Sequence, residues 1–317
     1  MKFSCEKNAI VSAVSVAQKA VSSKSTLVVL EGILLRASQN QLMLSSNNME
    51  LSIDYTMDAE VEEEGSVVVN ARLFGDIIRR LPQDLVFFET GENNLITIRS
   101  GNASFDIMGL PADEFPQAQQ VDRSNYMEIS QKLFKSMISK TIFSVATVDL
   151  KPILTGVLFD FHGSTLNLVA IDGYRLARRS IEVENTNITA QFVIPAKTLN
   201  ELLKLLSDTD DPVTLYVDKQ NILFVFPQFT LISRLLEGEF LNYDAIIPKE
   251  FRIETIVDTK TFIASIERAS LIVSGEFTKT PLRVQVAENE ITLNCSAQMG
   301  KATDSFSAQV TGGGLEI

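Results

Sequence analysis

The chain has 317 residues, of which 45% are hydrophobic and 21% are charged, a globular composition that excludes intrinsic disorder. At roughly 150 residues per domain, this length predicts two or three domains. Acidic residues outnumber basic ones by 40 to 28, and the net charge of -12 excludes a uniformly basic nucleic-acid-binding protein but not a local basic surface.

The first predicted elements are a helix, a hairpin and a second helix. Apolar residues recur with helical spacing from Asn8 onward. Two alternating apolar strands separated by polar turn residues begin at Gly32, which predicts a β-hairpin. A second helix is predicted from Ala71, with Asn70 as its N-cap.

The same order of elements returns twice further along the chain. A helix is predicted from Gln131 through Ile142, a hairpin from Gly156, and a second helix opened by Pro195, a residue suited to a first helical turn. A third helix of the first kind begins near Thr259 and precedes a hairpin from Pro281.

The spacing of the hairpins defines a repeat. Gly156 follows Gly32 by 124 residues, and Pro281 follows Gly156 by 125. We therefore predict an α+β fold of three tandem modules, with helices on one face of antiparallel sheets, over residues 1–120, 125–243 and 247–317. The second helix of the third module is due near position 324, one repeat after Leu199, so we expect that this module is truncated.

The predicted helices carry basic side chains opposite their apolar faces. On the second helix of module one, the apolar side comprises Leu73, Phe74, Ile77, Ile78 and Leu81. The basic candidates on three helices are Arg72, Arg79, Arg80, Lys132, Lys135, Lys197 and Lys204. Asp76 and Glu201 lie among them. A single face of this kind is usually only a solvated surface, but its recurrence in an acidic chain favours a lining for a polyanion held through phosphate contacts.

Cysteine and histidine are too scarce for most metal and redox sites. Cys5 and Cys295 lie near opposite ends, so the sequence predicts neither a disulfide framework nor a metal cluster, and no cofactor. His162 is the single histidine, which excludes a histidine-rich zinc site. The N-terminal residues have no signal-peptide hydrophobic region and no apolar run reaches about 18 residues, so we expect a cytoplasmic protein without membrane association.

Four segments resemble the motifs of one known family. They are STLVVLEGILL after Lys24, LPADEFP at 110–116, IDGYRLARRS at 171–180 and GEFLNYDAIIP at 238–248. With the three modules in register, they resemble the bacterial DNA polymerase III beta subunit, the DNA sliding-clamp family. The resemblance implies a non-catalytic head-to-tail homodimeric ring around double-stranded DNA. It also implies as partners the replicative DNA polymerase, a clamp loader and other proteins that carry clamp-binding motifs.

The resemblance also implies roles for individual residues. Lys24 matches a basic loop position near DNA, and Arg72, Arg79 and Lys197 match basic positions of the lining helices. The partner-peptide pocket would comprise Leu154, Ile171, Gly173, Tyr174, Arg175, Leu176, Leu241 and Ile246. Gly173 would let the partner's backbone approach closely. The subunit interface would join Phe105 and Ile107 of one subunit to Leu271 and Ile272 of the other, because the segment around Phe105 alternates like an exposed edge strand.

Two alternatives belong to other functional classes. An enzyme would need a base, but His162 lies beside Gly163 and Ser164 in a predicted turn, and we expect no carboxylate to orient it. The run Gly312–Gly314 lacks the lysine and the following helix of a phosphate-binding loop. The second alternative is a protein-interaction scaffold that does not encircle DNA, and the basic helix faces argue against it.

Overall fold

The computed structural model describes residues 1–22, 25–117, 119–147, 151–273 and 280–316. These residues form two compact units, Met1–Phe240 and Leu241–Ile317. Each unit has its own hydrophobic core. Among the described residues, no helix combines the length and the apolar character needed to cross a membrane.

The first unit contains the helix–strand order predicted from the repeat, twice. The elements of its first half are β1 (Lys2–Glu6), α1 (Lys7–Ala17), β2 (Gly32–Ser38), β3 (Gln41–Asn47), β4 (Leu51–Asp58), β5 (Glu60–Glu63), β6 (Gly65–Asn70), α2 (Ala71–Arg80), β7 (Leu85–Thr90), β8 (Leu95–Ser100) and β9 (Ala103–Met108). Those of its second half are β10 (Tyr126–Ser130), α3 (Gln131–Ser139), β11 (Gly156–His162), β12 (Thr165–Ile171), β13 (Leu176–Glu182), β14 (Phe192–Pro195), α4 (Ala196–Leu205), β15 (Pro212–Val217), β16 (Asn221–Val225) and β17 (Phe229–Arg234).

One sheet runs through both halves of the first unit. Its eight strands are ordered β10-β15-β16-β17-β4-β3-β2-β6. The pairing of β4 with β17, with Ile53 opposite Leu231, continues the sheet from one repeat into the next. A five-stranded sheet, β5-β1-β7-β8-β9, and a four-stranded sheet, β13-β12-β11-β14, complete the unit.

Aromatic side chains anchor the helices to these sheets. In the first half, Phe74 of α2 is fully buried and its ring meets that of Phe88 at 6.2 Å, while Phe3 stacks on Phe88 at 4.5 Å. In the second half, Phe134 of α3 lies 6.1 Å from Phe159 and from Phe224. Burial of each such ring contributes roughly 1.5–3 kcal/mol, and therefore fixes which face of each helix turns away from solvent.

The structure confirms one predicted helix limit, corrects two others, and removes one residue from a predicted apolar face. The Asn70 side chain accepts a hydrogen bond from the Leu73 N–H at 3.0 Å, so Asn70 is the N-cap of α2. The Leu73 side chain, however, is 49% exposed and does not belong to the apolar face. Helix α3 ends at Ser139, before Ile142, because the buried Thr141 hydroxyl bonds back to the carbonyls of residues 137 and 138. Pro195 ends β14 and stands just before α4, at the N-cap position, rather than in the first turn of the helix.

The second unit contains a helix, a hairpin and short strands. The elements are β18 (Glu254–Ile256), α5 (Thr259–Ser270), β19 (Arg283–Val286), β20 (Glu290–Ala297), β21 (Gly300–Ser307), β22 (Gln309–Thr311) and β23 (Leu315–Glu316). The sheet order is β21-β20-β19-β23, with β18 and β22 as a separate pair. Phe262 of α5 packs on Phe306 at 5.4 Å. All strand pairs in the described part of the chain are antiparallel, which confirms the predicted α+β class.

Candidate nucleic-acid interface and partner pocket

The predicted basic residues lie on the solvent-facing sides of α2, α3 and α4. Exposed side chains are those of Arg72, Arg79, Arg80, Lys132, Lys197 and Lys204. Lys135 is partly buried, and Lys24 lies outside the described residues. The opposite sides of these helices are buried, as shown by Phe74, Phe134 and Leu199, all 0% exposed. Each of the three helices is therefore apolar toward its sheet and cationic toward solvent.

Several of these cations are held by carboxylates. Arg79 Nη2 lies 3.0 Å from Asp76 Oδ1, and Lys204 Nζ lies 2.7 Å from Glu201 Oε1. The sequence pattern placed both acids beside the cations but did not predict the pairing. Two further pairs join distant segments, Lys197 with Glu50 at 3.2 Å and Lys135 with Asp208 at 3.1 Å.

A polar cleft of about 580 Å³ lies between α4 and the segments that follow α1 and precede β4. Its charged lining residues are Lys19, Lys197, Lys204, Glu50 and Glu201. The sequence analysis did not single out Lys19, which lies two residues after the end of α1. The cleft joins cations of both repeats on one surface, which suits contact with a polyanion.

A tight turn between β12 and β13 carries three of the predicted pocket residues, and two more flank it. Asp172 Oδ1 accepts hydrogen bonds from the N–H groups of Tyr174 at 3.0 Å and Arg175 at 3.1 Å, and its Oδ2 accepts one from Arg175 Nε at 2.9 Å. The backbone bond from Tyr174, followed by those from Arg175, lowers the pKa of Asp172 although partial burial opposes the shift. The Asp172–Arg175 pair therefore has a structural role in this turn.

The turn sets the conformations of its other residues. Gly173 has φ +93°, a region that side chains other than glycine rarely adopt, so the conformation of the turn favours glycine at this position. Tyr174 is fully exposed. The Arg175 guanidinium lies 5.7 Å from the centre of the Phe143 ring, a residue that the sequence analysis did not single out. A tyrosine and an arginine are thus presented to solvent on a hydrogen-bonded turn.

The remaining predicted pocket residues differ in exposure. Leu154 and Ile171 are buried, at 8% and 4% exposure, and Leu176 is half-buried. Leu241 and Ile246 belong to the second unit and are exposed. The structure thus groups Ile171 and Gly173–Leu176 around one turn of the first unit.

Three family profiles match the chain in order. They describe the DNA polymerase III beta subunit, with the N-terminal domain at residues 1–119, the central domain at 128–242 and the C-terminal domain at 244–317. The chain belongs to the DNA polymerase III beta subunit family. This membership confirms the predicted fold of three clamp modules.

Relatives and solved structures of the beta subunit family agree with this assignment. The beta sliding clamp of Bacillus subtilis is 35% identical and covers 100% of this chain, which covers 87% of that protein. The beta sliding clamp of Halalkalibacterium halodurans is 32% identical over 98% of the chain and 84% of its own length. A putative beta subunit from Eubacterium rectale superposes with a TM-score of 0.96 at 31% identity, and the B. subtilis clamp with 0.95 at 32%. Each covers 100% of this chain, which covers 86% of that structure.

Membership of the beta subunit family decides between the functional classes left open by the sequence. Sliding clamps are non-catalytic accessory subunits, so the prediction of a bacterial replication clamp rather than an enzyme is confirmed. One detail of the enzyme alternative was wrong, because His162 does have a carboxylate partner, with Nε2 2.9 Å from Asp160 Oδ2. The Ser164 hydroxyl donates instead to Glu182 at 2.6 Å, so these groups do not form a nucleophile–base pair.

The predicted interface residues of this beta subunit differ in accessibility. Strand β9 is an edge of the five-stranded sheet, and Phe105 on it is 38% exposed. Ile107 is only 9% exposed and packs in the core of its own module, so Phe105 is the more accessible of the two residues. Leu271 is 70% exposed and Ile272 is half-buried in the turn after α5.

Proposed function

We propose that this chain forms a ring-shaped homodimeric clamp that encircles and slides on double-stranded DNA in the cytoplasm. The three modules, at 1–120, 125–243 and 247–317, are the repeating units of the ring. The observation that carries the proposal is the cationic outer side of α2, α3 and α4 in a chain of net charge -12. Contacts of lysine and arginine with phosphate are independent of base sequence, which permits sliding, while the acidic remainder repels DNA elsewhere.

We further propose that the turn around Gly173–Leu176 belongs to a pocket for short peptides from the replicative polymerase, the clamp loader and other partners. Leu154 and Ile171 are its apolar members within the first unit. The exposed Tyr174 and the anchored Arg175 support this assignment, because aromatic and arginine side chains dominate the binding energy of many interfaces. Apolar side chains with a few fixed polar groups suit leucine or phenylalanine anchors.

The DNA-lining proposal is tested by charge reversal on the helices. Arg79→Glu combined with Lys197→Glu should weaken retention on circular DNA and leave peptide binding unchanged. A matched control is Lys2→Glu with Arg99→Glu, which changes net charge equally but lies on β1 and β8 of the five-stranded sheet. Undiminished retention of the helix variant at low salt, or equal loss in the control, would contradict the lining.

The peptide pocket has a separate test. Tyr174→Ala combined with Leu176→Ala should lower the affinity for a polymerase tail peptide, measured by calorimetry, and leave DNA retention unchanged. Unaltered peptide affinity would remove this turn from the pocket.

A further inference from the structure

An ion pair is repeated on the two helices that follow the hairpins of the first unit. Asp76 pairs with Arg79 on α2, and Glu201 pairs with Lys204 on α4. Both acids and both cations are separated by 125 residues, although the helix sequences ARLFGDIIRR and AKTLNELLKL are otherwise dissimilar. On the solvent-facing side of both α2 and α4, a carboxylate thus lies three residues before a cation.

The pairs contribute little to holding the helices in place. They lie on the side opposite the buried Phe74 and Leu199, and side-chain exposure within them ranges from 23% to 54%. Exposed pairs three residues apart stabilise a helix only slightly. So small an effect on stability does not explain why the carboxylate recurs at this position in both repeats. An effect of the carboxylate on the neighbouring cation does explain it.

A third carboxylate reaches the same surface from another segment. Glu50, just before β4, pairs with Lys197 at the start of α4. Lys197 and Lys204 line the 580 Å³ cleft together with Glu50 and Glu201. Within this cleft, both α4 lysines thus have an acidic neighbour in contact.

We propose that Asp76 and Glu201, assisted by Glu50, compete with DNA phosphates for the cations of the proposed lining. The inference rests on the proposed function, since it concerns how strongly that lining holds DNA. A phosphate that contacts Arg79 or Lys204 either displaces the carboxylate or shares the cation with it, so each contact is weakened. A cation whose charge is already balanced by a carboxylate also attracts a phosphate less strongly than a free cation does. The three acids therefore keep the clamp mobile on DNA.

The test uses amide replacements that keep side-chain shape. Asp76→Asn combined with Glu201→Gln should raise the affinity for a fluorescein-labelled duplex about two- to fivefold per carboxylate at low salt, since exposed pairs have about that strength. Between about 50 and 200 mM salt, the decline of log affinity with log salt should become steeper by up to about 0.9 for each additional phosphate that the protein neutralises. The thermal stability of the amide variant should fall slightly, although its affinity for DNA rises.

Two further arms separate the possible outcomes. Glu62→Gln removes the partner of Lys2 on the five-stranded sheet, changes net charge by the same amount per site, and should leave DNA affinity unchanged. An equal rise there, or no rise in the doubly substituted protein, overturns the competition proposal. Arg79→Ala with Lys204→Ala should weaken binding. If this alanine variant binds DNA as tightly as the unaltered protein, the proposed lining itself is wrong. If the alanine variant binds more weakly but the amide variant does not bind more tightly, only the competition proposal is rejected.

Discussion

Asn48 and Asp172 form the same turn in successive repeats, 124 residues apart. Asn48 Oδ1 accepts hydrogen bonds from the N–H groups of Glu50 at 3.1 Å and Leu51 at 2.8 Å, and Asp172 Oδ1 accepts the corresponding pair at 3.0 and 3.1 Å. A neutral amide is therefore sufficient for the turn. The charge of Asp172 has a different use, which is to hold the guanidinium of Arg175.

This relationship predicts different effects for two substitutions of Asp172. Asp172→Asn keeps the acceptor for both backbone N–H groups and loses only the charged partner of Arg175, so polymerase-peptide affinity should fall modestly. Asp172→Ala loses both backbone bonds, and the affinity should fall further. Titration calorimetry with a polymerase tail peptide distinguishes them. Equal affinities for the two variants would contradict the separation of turn and charge.

The contribution of Asp172 to the stability of the folded protein should decrease at acidic pH. Because the pKa of Asp172 is lowered in the folded state, chiefly by the Tyr174 backbone bond, its stabilising effect is present above the ordinary aspartate pKa. That effect is lost as pH falls through the lowered value. The Asp172→Asn variant should therefore lose less stability than the unaltered protein on acidification, as measured by thermal unfolding across a pH series.

Helix α2 offers a contrast between neighbouring residues. Phe74→Ala should lower the free energy of unfolding by about 3–5 kcal/mol, because a fully buried ring leaves a cavity. Leu73→Ala should change it by only about 0.5 kcal/mol, since the Leu73 side chain is half-exposed. Urea denaturation measures both, and similar losses would show that Leu73 belongs to the core after all.

The contrast also shows how far the sequence predicts the fold. Asn70 was identifiable as an N-cap because the signal is local, and the apolar period located α2. Helical periodicity could not assign Leu73, because the buried side is set by packing. Gln18, which follows α1, approaches α2 at Gly75, where an added Cβ would lie 2.4 Å from Gln18 Nε2. The pairing of β4 with β17 was likewise unpredictable, since alternation shows the faces of a strand but not its neighbours.

The candidate site was predictable to a similar extent. Exposure of the basic residues followed from the amphipathic pattern, and the Asp76–Arg79 pair was within reach because both residues lie on one turn of helix. The Lys197–Glu50 pair joins residues 147 positions apart and depends on tertiary structure. The burial of Ile107 was missed for the same reason, because β9 turns this residue into the core.

Cysteine reactivity gives a further prediction. Burial, with a smaller effect of the Glu6 charge, raises the pKa of the Cys5 thiol to about 12. The thiol therefore stays protonated in the folded protein, and its contribution to stability, complete below the unfolded pKa of about 8.5, is lost as pH rises toward the folded value. At pH 8, a Cys295→Ala variant should react with a thiol reagent only on unfolding. Rapid labelling of the native protein would contradict the buried placement of Cys5.

Two residues of the edge strand β9 should have different effects, one on dimer formation and the other on the stability of the fold. Phe105→Glu should lower the fraction of dimer in a light-scattering dilution series, with little effect on unfolding, because the side chain is exposed on an edge strand. Ile107→Ala should do the reverse and lower unfolding free energy by about 2–5 kcal/mol. A dimer unaffected by Phe105→Glu would remove β9 from the proposed interface.

The central claim is that the chain holds DNA by encircling it with a weakly contacting cationic lining. The most direct measurement is retention of the loaded protein on a nicked circular duplex before and after a single cut that linearises the circle. We predict retention on the circle at physiological salt and release from the ends once the circle is cut. Equal retention on circular and linear DNA would contradict encirclement and indicate direct, non-topological binding.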